Sequence, residues 1–172
     1  MKNISLYKPN ASDMWFRAQC MSDPDTMSYN AGYDLTFDGY HYDTGCIDFD
    51  KSKWEEWVNA KYSDPDSFYA YIVDEDTHEF VGYVNYHKSS NRYEMGIVIY
   101  SKYRGMGYMK PSMELFIQYA KEHGVTALYD TIPKNREKAL KVFFDLGFKV
   151  TKEFMTTKFK KDDPVYEIKL DL

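Results

Sequence analysis

Residues 93–124 read YEMGIVIYSKYRGMGYMKPSMELFIQYAKEHG, and this stretch decides the fold. Its first part, Tyr93–Tyr100, predicts a strand, because apolar and β-branched side chains dominate it. After a glycine-rich turn, apolar side chains at helical spacing predict an amphipathic helix that ends at Gly124: Met113, Phe116, Ile117 and Ala120. The next apolar run, Val125–Ile132, predicts another strand. Such a crossover makes its two strands parallel and the connection right-handed.

The turn between the strand and the helix, Arg104–Met109, contains Gly105 and Gly107. Glycine allows close approach of a ligand to the backbone, and the first N–H groups of a helix are unpaired donors. Together with the helix dipole they favour an anion, most naturally a pyrophosphate, to which Arg104 adds charge. The turn is neither a Walker A loop nor a dinucleotide-binding fingerprint, because the required Lys and third Gly are missing. The alternative is an ordinary glycine-rich turn.

Outward from this stretch, hydrophobic periodicity and turn residues predict the remaining elements. The predicted strands are Ile4–Tyr7, Phe68–Val73, Phe80–His87, Phe148–Met155 and Val165–Leu170. The predicted helices run from Asn10 or Ser12 to about Met21, from Ser52 to Tyr62, and from Glu137 to Leu146, before Gly147. Short turns make the three strands between residues 68 and 100 an antiparallel meander. The sheet is therefore expected to be mixed, with one parallel junction.

The composition indicates one domain spanning residues 1–172. Twenty-two Lys and Arg against 27 Asp and Glu give a net charge of −5, which argues against a nucleic-acid partner. We expect no membrane partner, because no signal-peptide core or membrane-length apolar run is present. The only two cysteines, Cys20 and Cys46, suit the reducing cytoplasm, and we expect no metal. Seventeen tyrosines either line a polar pocket in part or pack within amphipathic strands.

Three blocks of sequence, in this order, resemble the GNAT acetyltransferase superfamily. They are Glu94-Met95-Gly96-Ile97-Val98-Ile99, Tyr103-Arg104-Gly105-Met106-Gly107-Tyr108, and Asn135-Arg136-Glu137-Lys138-Ala139 with Leu146-Gly147-Phe148. The predicted order of elements extends the similarity over nearly the whole chain. The first two blocks look especially like the branch that acetylates protein N-termini and antibiotics.

The resemblance implies an α/β (α+β) fold with a mixed sheet of six to seven strands and about four helices. It also implies that the third meander strand and the Val125–Ile132 strand splay apart to hold acetyl-CoA as co-substrate. The residues implied for the cofactor are Ile97, Val98 and Ile99 at the pantetheine amides, Arg104, Gly105, Met106, Gly107, Tyr108, Met109 and Lys110 at the pyrophosphate, and Asn135 at the pantetheine arm. Asn135 equally suits the N-cap of the following helix.

The sequence departs from the family pattern at three places. Met109 stands where the family prefers Gly or Ala, and the interval from Asn135 to Phe148 is one residue longer than usual. Many members carry a tyrosine five residues before the Gly-Phe phenylalanine, as the acid that protonates the departing thiolate. Phe143 occupies that position and Phe144 follows it, so the role is vacant or filled from elsewhere.

Glu94 is the candidate general base. It shares one strand face with residues 96 and 98, so it can point toward the acceptor beside the thioester. An amine with a pKa of about 10.4 must lose a proton before or during attack, and a carboxylate can accept it directly or through water. The alternative role is an ion pair with Arg92 or a lysine on an exposed strand face. Four tyrosines are candidate acids or packing residues: Tyr83, Tyr100, Tyr103 and Tyr108.

The stretch from Ser22 to Asp50 contains seven aspartates and no Lys or Arg, with aromatic residues between the acids. In the family this segment walls the acceptor site. Carboxylates and aromatic faces both favour a cation, so an amine acceptor bound by Tyr29, Tyr33 and Asp34 fits. The alternative is a solvated acidic loop whose rings fill the core.

The leading hypothesis is therefore an N-acetyltransferase that uses acetyl-CoA and a primary amine, on a small molecule or a peptide, by direct attack in a ternary complex. One alternative is a non-catalytic acyl-CoA-binding sensor, and another is a nucleotide-binding module. The acceptor itself and the choice between a monomer and a homodimer remain open at this stage.

Overall fold

Seven strands form one mixed sheet in the computed structural model, which describes residues 1–172. In chain order they are β1 (Ile4–Tyr7), β2 (Ser67–Asp74), β3 (Glu79–Ser89), β4 (Arg92–Ile99), β5 (Ala127–Pro133), β6 (Lys149–Lys158) and β7 (Lys161–Asp171). Their order in the sheet is β1-β2-β3-β4-β5-β7-β6. All neighbouring strands are antiparallel except β4 and β5, which are parallel. The predicted mixed sheet with one parallel junction is confirmed.

Five α-helices accompany the sheet, one more than expected. They are α1 (Trp15–Ser22), α2 (Pro24–Met27), α3 (Trp54–Ser63), α4 (Met109–Glu122) and α5 (Glu137–Asp145). The additional helix is α2, a single turn within the Asp-rich stretch. Asp23 caps it by accepting a hydrogen bond from the Thr26 N–H, and Pro24 provides a favourable first residue. None of the five helices combines the length and apolar composition needed to cross a lipid bilayer.

Two hydrophobic cores cover opposite faces of the sheet. Alternate residues of β2 divide between them, with Phe68, Ala70 and Ile72 in the larger core. The larger core also receives α4 and α5, through side chains that include the fully buried Met113, Phe116 and Ala120. Tyr69 and Tyr71 of β2 lie in the smaller core, which receives Phe16 and Cys20 of α1 and Val58 of α3. The helical stripe read from the sequence is thus the buried face of α4.

The starts of β5 and β6 lie one or two residues later than the sequence patterns predict, for the same reason. Gly124 follows α4 at φ +81°, and the Val125 N–H donates back to the Ala120 carbonyl at 3.1 Å. Gly147 follows α5 at φ +95°, and the Phe148 N–H donates to the Phe143 carbonyl at 3.1 Å. Both are Schellman caps, in which the residue after the glycine closes the helix. Its N–H is therefore used before the strand begins.

Six of the seventeen tyrosines are core residues. They are less than one-tenth exposed: Tyr69, Tyr71, Tyr83, Tyr86, Tyr103 and Tyr108. The Tyr71 hydroxyl donates to the Asp13 carbonyl at 3.0 Å, which shows how a ring can be buried while its hydroxyl stays bonded.

Candidate active site

The strands β4 and β5 are paired at only two positions, Tyr93 with Leu128 and Glu94 with Tyr129. Beyond them, β4 continues along β3 to Ile99 and β5 continues along β7 to Pro133. The Tyr100 N–H donates to the Val81 carbonyl of β3 at 3.0 Å. Since an antiparallel ladder alternates, the peptide groups of Ile97 and Ile99 face away from β3, into the opening. The sheet therefore contains a slot edged by unpaired main-chain groups.

The glycine-rich loop lies at the end of β4 that borders this slot. Gly105 and Gly107 adopt φ angles of +76° and +85°, which favour glycine over any other residue. The N–H groups of Tyr108, Met109 and Lys110 precede any intrahelical acceptor, and the first bonded donor after Pro111 is Ser112, to the Tyr108 carbonyl. A Cβ built on either glycine meets no atom within 4 Å. The loop thus presents free N–H donors to open space, as an anion site requires.

The side chain of Arg104 holds this loop in place. Its Nη1 and Nη2 donate to the Asp25 and Thr26 carbonyls at 2.8 Å each, and its Nε donates to the Ile99 carbonyl at 3.2 Å. Three of the five guanidinium N–H groups are therefore used by the protein itself. Only the two remaining guanidinium N–H groups and the backbone of Arg104 are available for its predicted contact with a pyrophosphate.

Two further contacts anchor the same region. The Ser101 N–H donates to the Thr26 hydroxyl at 2.8 Å, and the Ser101 hydroxyl donates to Asp23 at 2.6 Å. At the other side of the loop, the Tyr108 hydroxyl donates to the buried carboxylate of Asp74. This hydrogen bond holds the pKa of Asp74 below its ordinary value, against the effect of burial. Tyr108 therefore acts as an anchor here, which accounts for its burial.

Glu94 lies at the closed end of the slot and lines a groove of about 140 Å³. The other lining residues are His87, Arg92, Met95, Tyr129, Asp130 and Thr131. The Glu94 carboxylate accepts hydrogen bonds from Arg92 at 3.3 Å, and His87 Nε2 lies 4.0 Å from it. Both roles considered for Glu94 thus have a structural basis, since an ion pair with Arg92 exists and the carboxylate still borders the groove.

Asp130 is a half-buried second carboxyl in this groove, and sequence reasoning missed it. Its only side-chain hydrogen bond is accepted from the Thr131 N–H at 2.7 Å, and no cation pairs with it. Burial raises the pKa of Asp130 to about 7. One signal was available in the sequence: Asp130 alternates with Leu128 and Ile132, two apolar residues of β5 that are buried. A carboxyl at such a position is unusual, because alternate residues of a strand share one face.

Position 143 offers no proton donor. Phe143 is 2% exposed within the larger core, where its ring meets that of Phe148 edge-on at 5.0 Å. Phe144 on the next helical position is exposed. The residue that many family members use as an acid is thus a core side chain in this protein.

The residues expected at the acceptor lie in different environments. The Tyr33 hydroxyl donates to Asp163 of β7 at 2.9 Å, and burial raises the pKa of Tyr33 to about 12. Tyr29 is half-buried beside the smaller core, whereas Asp34 is exposed. The Asp-rich stretch is tied to the β6–β7 hairpin by the Phe159 N–H, which donates to the Gly32 carbonyl at 2.7 Å.

Asn135 is exposed and does not cap α5. The N-cap residue of that helix is Arg136, and no side chain accepts a hydrogen bond from the first turn. The capping role considered for Asn135 is wrong, because the helix begins one residue later than that role requires. Its contact with the pantetheine arm stays a prediction.

Comparisons with known proteins agree with this fold. The family model described as the acetyltransferase (GNAT) domain matches residues 3–149. A comparison with curated proteins gives no sequence match. Among solved structures, the chain is similar to the spermidine N-acetyltransferase from Vibrio cholerae in complex with CoA and spermine, at 15% identity and a TM-score of 0.78, over 98% of this chain and 95% of that chain.

Two other solved structures have the same architecture. One is an acetyltransferase of the GNAT family from Streptococcus pneumoniae, at 16% identity and a TM-score of 0.76, over 99% of this chain and 100% of that chain. The other is a GNAT-family acetyltransferase from Bacillus anthracis, at 17% identity and a TM-score of 0.73, over 99% and 96% of the two chains. At these identities the similarity establishes a shared fold.

The anchoring role of Arg104 predicts a loss of stability without any ligand. Arg104→Met removes three hydrogen bonds to carbonyls, and we expect the free energy of unfolding to fall by about 1–2 kcal/mol in urea denaturation. Lys102→Met is the control, because Lys102 is exposed and pairs with Glu79 at 3.4 Å, an interaction worth less than about 1 kcal/mol. Equal stability of the two variants would show that the Arg104 contacts do not hold the loop.

Proposed function

The chain belongs to the GNAT acetyltransferase family, and on that premise we propose that it transfers an acetyl group from acetyl-CoA to a primary amine. The observation that carries the proposal is the slot between β4 and β5, which ends at a loop of free N–H donors. Acetyl-CoA contains a linear amide chain joined to a pyrophosphate. The slot can pair with the amide chain and the adjacent loop can bind the pyrophosphate.

The residues present fit acetyl-CoA as co-substrate. In the slot, the N–H and C=O of Ile97 pair with the pantetheine amides as an additional strand does. The carbonyl of Ile99 already accepts from Arg104, so the N–H of Ile99 remains for the ligand. The N–H groups of Gly105 and of residues 107–110 bind the pyrophosphate, whereas the Met106 N–H donates to the Tyr103 carbonyl at 3.4 Å. Asn135, exposed beyond β5, reaches the pantetheine arm. Val98 contributes packing, because its side chain is buried in the smaller core.

We propose that the acceptor amine enters from the groove that contains Glu94. Its carboxylate takes the amine proton directly or through water, and the neutral nitrogen attacks the thioester carbonyl. A slot-facing N–H group of β4 stabilises the oxygen that becomes negative in the attack. Tyr29, Tyr33 and the exposed Asp34 remain proposed acceptor contacts, because the negative charge of their stretch attracts a cationic amine.

Direct transfer, without a cysteine intermediate, is consistent with the thiols. Cys20 and Cys46 are both buried, and neither is in a disulfide. Burial raises the pKa of Cys20 to about 12, so its thiolate is not populated near neutral pH. We also propose a cytoplasmic location, which two free thiols suit. The family match over residues 3–149 supports the proposal that residues 1–172 are one acetyltransferase domain.

A panel of amines tests the activity against the sensor alternative, which the buried Phe143 favours. The panel contains polyamines, an aminoglycoside, free amino acids and peptides with free N-termini, each mixed with acetyl-CoA. Release of CoA that depends on one class of amine supports the proposal, and the acetylated product identifies the acceptor. Tight binding of acetyl-CoA without turnover on any amine would instead support a sensor.

The loop assignment predicts that Gly107→Val weakens CoA binding by about tenfold or more in calorimetry. A branched side chain there obstructs the approach of the pyrophosphate to the backbone. Gly124→Val is a matched control, because Gly124 has a φ of +81° against +85° for Gly107, and a Cβ meets nothing within 4 Å at either position. A valine at either position adopts the same left-handed backbone conformation, which destabilises both variants by about 1–2 kcal/mol. Equal CoA affinity of the two variants would contradict the loop assignment.

The base assignment predicts that Glu94→Gln lowers kcat/KM by about 10²–10⁴-fold near neutral pH. The loss should shrink at high pH, where more of the amine is already neutral, and CoA affinity should stay the same. Glu79→Gln is the control, since Glu79 is a partly exposed carboxylate on β3 that pairs with Lys102. A pH-independent loss accompanied by a lower melting temperature would assign Glu94 a structural role through Arg92.

A further inference from the structure

The proposed reaction needs a proton for its leaving group. When the carbon–sulfur bond breaks, CoA departs as a thiolate. Even the relatively acidic thiol of cysteine has a pKa of about 8.5, so the departing sulfur takes up a proton near neutral pH. An acid placed beside the sulfur accelerates this step. Position 143 carries a phenyl ring within the core, and Tyr108 is held by Asp74, so neither side chain supplies that proton.

Asp130 occupies a suitable place for this task. It lies on β5 one residue beyond Tyr129, the last residue paired with β4, and therefore at the point where the slot opens. It lines the same groove as Glu94. Its backbone position is fixed by antiparallel pairing with Ile168 of β7, so the carboxyl is carried by a rigid strand.

On the basis of the proposed function, we propose that Asp130 is the general acid that protonates the CoA thiolate as the acetyl group is transferred. The carboxyl has no cation as hydrogen-bond partner, and its one bonded oxygen accepts from the Thr131 N–H. A carboxyl that lacks a partner cation and is partly withdrawn from water favours its neutral, proton-carrying form. This is the form that an acid needs at the start of the reaction.

The surrounding charges support this protonation state. Burial is the largest influence and raises the pKa of Asp130 to about 7, and the negative charge of Glu94 on β4 acts in the same direction. The Thr131 N–H and the guanidinium of Arg136, before α5, oppose it. Tyr29, from the turn after α2, interacts with both Asp130 and Arg136 and stays neutral, because burial raises its pKa. The other titratable groups of the groove are His87, Arg92 and Tyr129.

The two carboxyl groups then have separate tasks, and the protons balance. The carbon–nitrogen bond forms as Glu94 takes one proton from the amine. The carbon–sulfur bond breaks with its electron pair on sulfur, which takes the proton of Asp130. The products are the amide, the CoA thiol, a protonated Glu94 and an ionised Asp130. A proton passing from Glu94 to Asp130 through water in their common groove restores the starting state. Different environments, rather than different residue types, separate the acid from the base.

The test is the pH profile of Asp130→Asn, which keeps the shape of the side chain but removes the acidic proton. An acid works below its pKa, so kcat/KM of the parent should decline as pH rises through about 7. In the variant, kcat/KM should fall by about 10²-fold at pH 6.5 and this decline should disappear. Asp130→Glu should restore part of both. Asp145→Asn, which alters an exposed carboxylate paired with Lys141 at 2.8 Å, should match the parent.

A change of leaving group separates the acid from other roles. With an acetyl thioester of a more acidic thiol, the parent and Asp130→Asn should differ much less, because that thiolate departs without a proton. A rate loss that is the same for both thioesters and recovers at high pH would make Asp130 a base and overturn the proposal. A lower melting temperature with an unchanged pH profile would make it structural, with the same consequence.

One measurement does not depend on turnover. Carbon-13 NMR of the resting protein should show the Asp130 carboxyl titrating near neutral pH, whereas a midpoint near 3.9, the ordinary value for aspartate, would overturn the proposal. If no amine is acetylated by the parent protein at any pH, the proposed function fails, while the NMR titration still reports whether Asp130 holds its proton.

Discussion

The separation of β4 from β5 after Glu94 and Tyr129 is the constraint on which the candidate site depends. A strand in the middle of a sheet normally satisfies its peptide groups on both edges, and those left unpaired away from water are costly. Here β3 continues to hold β4, and β7 continues to hold β5, so each strand stays ordered on one edge while the facing edges part. Both strands therefore keep one hydrogen-bonded edge without a ligand. Of the groups that face the slot, the Ile99 carbonyl accepts from Arg104, and those of Ile97 are left for a ligand or water.

The glycine-rich loop beside the slot is held by contacts that do not use the ligand. Arg104 binds three carbonyls, Ser101 binds the cap of α2, and Tyr108 binds Asp74. These contacts leave the N–H groups at the start of α4 free, because the anchors use side chains and carbonyl oxygens. A loop ordered in advance loses less conformational entropy when an anion binds. The two positive-φ glycines supply the backbone shape, and the anchors fix its position.

The two carboxyl groups of the groove show how position controls chemistry. Glu94 is half-exposed and accepts hydrogen bonds from Arg92. Asp130 is paired with no cation, and burial favours its protonated form. The sequence identifies Glu94, because it begins a motif. It leaves Asp130 unnoticed, because one acidic residue in an otherwise ordinary strand gains meaning only from the groove it borders.

Local chemistry of the chain determined much of this protein. The apolar stripe of α4, the glycines that end α4 and α5, the meander from β2 to β4 and the loop from Arg104 to Lys110 follow from short-range patterns. These patterns depend on the helical and strand repeats and on the φ preference of glycine, which neighbouring residues fix among themselves. The starts of β5 and β6 shifted because Val125 and Phe148 use their N–H groups in helix caps. The β6–β7 hairpin is longer than the patterns predicted, since β6 ends at Lys158 and β7 begins at Lys161.

Only the tertiary structure decided the rest. The place of β7 between β5 and β6, the point at which β4 and β5 part, the use of Arg104 as a tether and the burial of Asp130 all join residues distant in sequence. Which strand lies beside which depends on how complete faces pack, and a pKa depends on the groups that packing brings near and the water that it removes. No local pattern carries that information.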